Sequence, residues 1–322
     1  MRHTIAQFIS SFSDARQLLL AGVRFFPFIL APLSVQRDCE RSARNTPLAK
    51  NVLRSGYIAV FPSGRPYTIR FSQGAAAYFP AVFFIAEPNS NITLFDTRGT
   101  STTIGEQTTH VIARTRSHFS CGLTQRSALA KDVRYTAIVE TDAAFEFAGF
   151  LHGTKTHAVR VATQLAGSRS VSNMRLALLC SQHSQTFVEL QHAHAGPKTN
   201  GQIHLKAIVR DHASLHAPGW ITVGKRAQKT NSFLREDVLL LSAEAEAKAV
   251  PNLEILHHDV RVWHNATVGQ FSSDQLYYCA SRGLTLSQTE HLLTKGFFTD
   301  LAGQMNNHAL AQYYRQSLTA FL

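Results

Sequence analysis

The sequence has few charged residues. Only 16% of its 322 residues are Asp, Glu, Lys or Arg, whereas 44% are hydrophobic. Disordered chains show the opposite balance, because they hold too little apolar surface to offset the entropy of ordering. We therefore expect a folded chain with a substantial hydrophobic core.

Cysteine is also scarce. Cys39, Cys121, Cys180 and Cys279 lie far apart, and no C-x-x-C pair occurs. Disulfide frameworks and structural zinc sites use more numerous or more closely spaced cysteines. Dispersed thiols are typical of a reducing compartment, where they persist as small buried groups, so we expect a cytoplasmic protein.

The sequence lacks an uninterrupted hydrophobic run long enough to span a membrane. The most apolar stretch near the N-terminus, residues 18–33, contains Arg24 and Pro27. It is shorter than the roughly 20 residues that a membrane-spanning helix needs, and proline breaks a helix. We expect a buried helix followed by an extended segment, and no membrane partner.

Signatures of catalysis are missing as well. Neither the phosphate-binding pattern G-x-x-x-x-G-K-[ST] nor the nucleophile pattern G-x-S-x-G occurs, so ATP hydrolysis is not expected from this chain and no nucleophile of that type is visible. The formal net charge is +11, but the basic residues are scattered, and the densest stretch, 225–229, has no interleaved aromatic residues. We expect no nucleic-acid partner, although a basic β-rich nucleic-acid-binding protein stays open as an alternative.

From residue 56 onward, short apolar runs alternate with polar or glycine-containing breaks. In residues 186–191, Phe187 and Glu189 would point to one side of a strand and Val188 and Leu190 to the other. About 200 residues of such runs without intervening helices predict an all-β body. A sandwich, a barrel and a solenoid all fit, because no clean repeat of roughly 20–30 residues is evident.

Helical signals appear at both ends of the chain. Residues 1–24 carry apolar residues at helical spacing. After residue 271, Ser272 with Gln275 and Ser287 with Glu290 have the spacing of capping boxes, and a third helix is predicted from about 306 to 318. The predicted organisation is an N-terminal helical or irregular segment over 1–55, a β body over 56–271 and a C-terminal helical domain over 272–322.

The C-terminal part of the sequence contains an ordered set of motifs. They are Pro251–Ile255, Asp259–Val260, His264–Gly269, Asp274–Tyr278, Ser281–Gly283 and Gly296–Phe298. This set resembles the SufB/SufD family of iron–sulfur cluster assembly proteins. The family pattern runs P-x-L-E-I-x-x-D-D-V-x-C-x-H-G-A-T-x-G, followed by D-x-x-Q-L-F-Y-L-x-S-R-G-I and a later G-F-F/A. Weaker matches extend the resemblance over roughly residues 185–303.

The resemblance implies a right-handed parallel β-helix flanked by helical parts, in which each coil buries its inward side chains only when stacked on its neighbours. It also implies a scaffold subunit that is not itself an enzyme. Such a subunit works with a SufB-like subunit and a SufC-like ABC ATPase, and indirectly with a cysteine desulfurase. Asn265 replaces the glutamate of SufB-type chains, which favours a SufD-like subunit. A SufB-like cluster scaffold remains an alternative.

The resemblance assigns His264 to cluster assembly, as a possible iron ligand facing the SufB-like partner. A neutral imidazole can ligate iron. No cofactor is expected to stay bound, only a transient iron–sulfur cluster at the interface. Val262 stands where SufD chains often have cysteine, which puts a thiol contribution in doubt. The competing interpretation is a strand-end histidine bonded to the backbone.

The resemblance further implies that the C-terminal helices bind the ATPase subunit. The residues in the matching motifs are Tyr277, Tyr278, Arg282, Gly283 and Phe297. Aromatic and arginine side chains are frequent hot spots, and packing of the helices on the β body is the alternative role.

Two histidine pairs invite a metal interpretation: His192 with His194, and His257 with His258. A metal site needs three or four converging ligands, and 16 histidines make chance pairs common. A carbohydrate-active β-helix enzyme is a further alternative, which would require clustered Asp or Arg side chains on one face.

Overall fold

The computed structural model describes residues 23–27, 57–71, 81–97, 105–127 and 131–321, together with Leu19, Ala31, Ser34 and Gln36. The predicted helix over residues 1–24 and Cys39 lie outside these residues, apart from Leu19 and the two residues 23 and 24. Among the described residues, no helix combines the length and the apolar character needed to cross a bilayer.

The body of the molecule is a stack of coils built from short strands. The strands are β1 (Arg24–Pro27), β2 (Tyr57–Phe61), β3 (Pro66–Phe71), β4 (Ala81–Ala86), β5 (Asn91–Asp96), β6 (Gly105–Ala113), β7 (His118–Ser127), β8 (Lys131–Val139), β9 (Ala144–Gly153), β10 (His157–Leu165), β11 (Val171–Cys180), β12 (Gln185–His194), β13 (Asn200–Val209), β14 (Ser214–Val223), β15 (Thr230–Leu240), β16 (Glu246–Ile255) and β17 (Val260–Gly269).

From β2 onward, successive strands alternate between two sheets. One sheet has the order β1-β2-β4-β6-β8-β10-β12-β14-β16, and the other has the order β17-β15-β13-β11-β9-β7-β5-β3. Within each sheet the neighbours run parallel, except that β1 pairs antiparallel with β2. This arrangement confirms a parallel β-helix and excludes the sandwich and the barrel that the sequence pattern had left open.

The length of a coil changes along the stack. Pro66 pairs with Asn91, 25 positions later, whereas Ser214 pairs with Glu246, 32 positions later. The extra residues fall in the turns and in longer strands. A repeat whose length drifts in this way leaves no fixed period in the sequence, which explains why none was evident.

Side chains alternate between the interior of the stack and its surface. In β10 every second residue is buried, including Val159, Val161 and Leu165. In the N-terminal coils the interior is aromatic: Phe61, Phe84, Phe119 and Phe145 form a continuous row, with successive ring centroids 6.1–6.4 Å apart. This in-register burial of apolar side chains is the main stabilising term of the column.

One edge of the stack is formed by turns that use a left-handed backbone conformation. At each such turn a non-glycine residue has a φ of 57–61° and donates its N–H to a carbonyl of the next coil, over 2.6–3.2 Å. The left-handed conformation costs roughly 1–2 kcal/mol per residue, and the inter-coil hydrogen bond offsets part of this cost. The residues are Asn89, Arg116, Asp142, Arg169, Lys198 and Lys229.

Three helices follow the last strand: α1 (Ser273–Ser281), α2 (Leu286–Gly303) and α3 (His308–Phe321). The predicted capping box of α1, Ser272 with Gln275, is confirmed. The predicted box of α2 is wrong. Thr285 is the extended N-cap residue and pairs with Gln288, so Ser287 already lies inside the helix.

Helices α2 and α3 pack against the eight-stranded sheet. Phe298 of α2 is fully buried against the rings of Phe150 and Phe297, and Tyr314 of α3 also packs on Phe150. Glu146 of β9 accepts the backbone N–H groups of Asn306 and Asn307 at the start of α3, at 2.9 and 3.1 Å. The helices therefore brace the middle coils from the outside.

Truncating the Phe298 side chain should weaken the packing of α2 on the eight-stranded sheet. We expect Phe298→Ala to lower the free energy of unfolding by about 3–5 kcal/mol, because it leaves a cavity between α2 and β9. Leu292→Ala, on an exposed position of the same helix, should change it by less than about 0.5 kcal/mol. Urea denaturation followed by circular dichroism measures both, and equal effects would contradict the packing described.

Candidate functional site

The C-terminal end of the stack is open. Within the part of the chain that the structure describes, β16 and β17 pair on one side only and are the terminal strands of their sheets. Several apolar side chains here are exposed, among them Ile255, Trp263 and Val268 at 42–48%. We call the surface formed by β16 and β17 the open end. Unpaired strand edges beside exposed apolar groups are typical of a surface that meets another chain.

His264 lies in the middle of β17, not at a strand end. It pairs with Leu234 of β15, whose side chain is fully buried inside the column. In-register neighbours of a parallel pair point to the same face, so His264 projects toward the column axis. No further coil of the described residues covers it, and its side chain is exposed. Its imidazole makes no hydrogen bond to another described residue, which removes the support for a backbone-bonded structural histidine.

The neighbours of His264 on β17 divide between the two faces. Val262 shares the inward face, is half-buried and packs against the core, so the position of the family cysteine holds a hydrocarbon side chain. Trp263 points outward and packs against the ring of Phe233 in a tilted arrangement, with ring centroids 5.3 Å apart. Asn265 is exposed. His264 is thus the one inward-facing metal-ligand candidate among the described residues of β17.

A carboxylate that the sequence analysis missed lies directly beneath the open end. Glu236 of β15 pairs with Ala266 and is 1% exposed. Its Oε1 occupies the space above Gly219, where a Cβ would approach to 2.7 Å, and its Oε2 has no hydrogen-bond partner among the described residues. Burial raises the pKa of Glu236 to about 8. The alternation of β15 could have indicated this residue, because a glutamate is unusual at an inward-facing position. The inward-facing residues are Ser232, Leu234, Glu236 and Val238.

The next residue, Asp237, points to the other face and joins β15 to α2. Its carboxylate accepts hydrogen bonds from Arg235 at 2.8 Å and from His204 at 3.0 Å. The other ring nitrogen of His204 contacts Gln304, which follows α2, at 3.0 Å. A second link runs from Lys206 of β13 to Asp300 of α2 at 2.8 Å. These polar contacts connect the helices to the coil that lies just below the open end.

The histidine pair at 192 and 194 is structural. Both rings lie inside the column, where His192 contacts Ser172 and His194 contacts Thr199 and Ser232, all within 2.8–3.0 Å. Burial lowers both pKa values, that of His194 to about 4, so both rings are neutral at physiological pH.

The pair at 257 and 258 is different. The rings of His257 and His258 stack with centroids 4.9 Å apart beside the N–H of Asp259, which donates to His257. Among the described residues, no three His, Cys, Asp or Glu side chains converge in a way that would hold a metal ion.

The residues predicted to bind an ATPase subunit fall into two places. Tyr277 and Tyr278 on α1 are highly exposed, at 77% and 59%, and the Arg282 guanidinium lies 5.2 Å from the centroid of the Tyr278 ring. Gly283, with a φ of +83°, ends this helix. Phe297 lies apart from them, half-buried, with the Lys206 ammonium 4.8 Å from its ring centroid.

A shallow apolar groove runs beside Tyr277, between α1 and α2. Its lining is mostly hydrocarbon, so α1 and the start of α2 present a continuous apolar surface next to the exposed tyrosines. The residues that line it are Leu276, Tyr277, Ala280, Leu284, Leu286 and Thr289.

Comparison with known proteins places most of the described body in one family. Residues 69–297 match the sequence model described as "SUF system FeS cluster assembly, SufBD core domain". The match covers more than two thirds of the chain and extends from β3 into α2.

Curated relatives are similar over shorter segments. The iron–sulfur cluster assembly protein SufD of Escherichia coli is 30% identical over 51% of this chain, and a SufBD family protein of Synechocystis is 32% identical over 42%. One from Mycobacterium tuberculosis is 30% identical over 38%. The chain spans 38%, 29% and 14% of the lengths of these three relatives, respectively.

The buried carboxyl of Glu236 should make stability depend on pH. The folded chain keeps its proton up to about pH 8, whereas the unfolded chain loses it near 4.5, so stability falls by up to about 1.4 kcal/mol per pH unit between these values. We expect Glu236→Gln to be more stable than the wild type by about 1–3 kcal/mol at pH 7.5, with no such gain at pH 4.5.

Urea titrations at the two pH values measure this difference. Glu254→Gln, which removes an exposed carboxylate on β16, should show no pH-dependent gain. A Glu236→Gln gain that is the same at both pH values would mean that burial does not raise the pKa of this carboxyl.

Proposed function

The chain belongs to the SufBD core-domain family of iron–sulfur cluster assembly proteins, and from this premise we propose that it is a SufD-like scaffold subunit, not an enzyme, which pairs through its open end with a SufB-like subunit. The observation that carries the proposal is the unpaired terminal coil, with His264 projecting inward from its exposed edge strand.

Strand pairing is the mode of association that the open end supports. An edge strand offers a row of free backbone N–H and C=O groups, and a second β-column can satisfy them by continuing the sheet. Trp263 lies on the outer face of this strand, half-exposed, and is suited to anchor the interface. Burial of Val268 and Ile255 at the same end would add hydrophobic stabilisation.

The cluster is cargo that is assembled where the two subunits meet. His264 supplies an imidazole, and the thiolates come from the partner, because the three cysteines that the structure describes are poorly suited. Cys121, Cys180 and Cys279 are buried, and burial raises the pKa of Cys180 to about 11, which keeps it protonated. Asn265 and Val262 add no anionic ligand. This division of ligands supports the SufD-like over the SufB-like role.

A SufC-like ABC ATPase binds the exposed face of α1 and the groove beside it. Tyr277, Tyr278 and Arg282 form an aromatic and cationic cluster there, typical of hot spots. ATP hydrolysis belongs to that partner. Movement of α2 would reach β15 through the contact of Gln304 with His204 and of His204 with Asp237. A cysteine desulfurase supplies sulfur to the assembly indirectly.

Removing the imidazole of His264 should reduce cluster formation but leave complex formation intact. When the chain is co-expressed with SufB-like and SufC-like partners, we expect His264→Ala to co-purify with both partners but to hold at least fivefold less iron and sulfide per complex after reconstitution. His258→Ala, an exposed histidine on the turn before β17, is the control and should behave as the wild type. Wild-type cluster yield in His264→Ala would remove the ligand role, and a wild-type chain that binds neither partner would refute the scaffold role.

The α1 surface should be specific for the ATPase. We expect Tyr277→Ala together with Tyr278→Ala to weaken binding of the SufC-like subunit at least tenfold, or about 1.4 kcal/mol, while pairing with the SufB-like subunit stays unchanged. Arg315→Ala, exposed on α3, is the matched control. Biolayer interferometry with the immobilised ATPase measures the affinities. Equal weakening toward both partners would point to unfolding of the helices instead.

A further inference from the structure

We propose that Glu236 is a second iron ligand of the open end, which together with His264 binds a ferrous ion. This inference rests on the proposed function, because it assigns to the same end of the column a residue that supplies the negative charge His264 lacks.

The register places the two side chains on one face, one coil apart. Glu236 pairs with Ala266, which lies two residues after His264 on β17. Parallel strands lie about 4.8 Å apart and rise about 3.3 Å per residue, so diagonal neighbours of this kind are about 8 Å apart. A metal ion about 2 Å from a carboxylate oxygen and about 2 Å from an imidazole nitrogen fits between side chains at that spacing. Only the methyl group of Ala266 separates the glutamate from the open end on its own sheet.

The surroundings of Glu236 offer its carboxyl group no counter-charge among the described residues. The carboxylate reaches across the column to the backbone of Gly219, and Oε2 has no partner among the described residues. The cation nearest in sequence, Arg235, is committed to Asp237 on the outer face. A buried acid without a counter-charge lowers stability, and an apolar residue would fill the same inward position at less cost. Such a residue is explained if a cation binds there during function.

Carboxylate and imidazole are suitable donors for Fe²⁺. On binding, the ion displaces the carboxyl proton, which passes to solvent, and no change of oxidation state is involved. Two protein donors leave several coordination positions for water and for groups of the partner subunit. An ion held in this way lies at the level of the terminal coil, where the partner's thiolates would meet it.

The test is an anaerobic titration of the full chain with Fe²⁺, followed by isothermal calorimetry and repeated with Co²⁺, whose visible absorption reports its ligands. We expect one ion per wild-type chain, bound at least tenfold more weakly by Glu236→Gln and by His264→Ala. Glu254→Gln, an exposed carboxylate on β16, is the matched control and should bind as the wild type. Because glutamine has the size and shape of the original side chain, a folding defect is not expected in Glu236→Gln.

The same titration is made on the chain assembled with its SufB-like and SufC-like partners, so that donors from the interface are present. Wild-type affinity of Glu236→Gln in both settings overturns the ligand role and leaves the scaffold role untouched, provided that the variant still co-purifies with its partners. Conversely, an ion that depends on Glu236 in a chain that pairs with neither partner would support the metal site and refute the proposed function.

Discussion

The in-register stacking of the coils is the constraint on which the rest of the structure depends. Because side chains alternate along a strand and parallel neighbours keep the same phase, one choice of phase fixes which residues enter the interior of every coil. His264 and Glu236 both lie in that inward phase. Their difference in exposure follows only from their place in the stack, since one coil covers Glu236 and no coil covers His264.

The interior changes character along the column. The N-terminal coils are filled by phenylalanine rings, whereas the later coils hold Ser172, His192, His194 and finally Glu236. Buried polar groups stabilise less than packed hydrocarbon, so the later coils gain less from stacking. In a solenoid each coil is held only by its neighbours, and the terminal coil has only one. Helices α2 and α3 support the coils from β5 to β13, and the link through His204 and Asp237 reaches β15 but not β17. The open end is therefore the part of the described column best able to rearrange.

Local signals in the sequence predicted the elements better than their three-dimensional arrangement. Alternation of apolar residues predicted the strands, and the cap at Ser272 was correct because a capping box is satisfied within four residues. The box at Ser287 failed because Thr285 offers the same chemistry two positions earlier.

Features that depend on contacts between coils could not be predicted from local patterns. The left-handed turns carry Arg, Lys, Asp and Asn in place of glycine, and their hydrogen bonds join different coils. The alternation of its own strand indicated that Glu236 points inward, but its lack of a partner could not be predicted, because its neighbours Gly219 and Ala266 are distant in sequence. The fold class itself came from a family resemblance, since coil lengths of 25–32 residues hide the repeat.

The two edges of the open end are not equivalent, and this difference decides what His264 can reach. Strand β16 carries Pro251, which cannot donate to a ladder, together with Lys248 and Glu254, and such residues discourage edge pairing. Strand β17 contains no proline, and Arg261 is its one Lys, Arg, Asp or Glu residue, so it is the better template. A strand added to β17 would lie about 4.8 Å away, so its inward side chains would meet His264 directly. Pairing at β16 would instead leave His264 across the column, about 10 Å from the added strand. The composition of the edges therefore favours the one mode of association in which this imidazole and a partner's ligands can share a cluster.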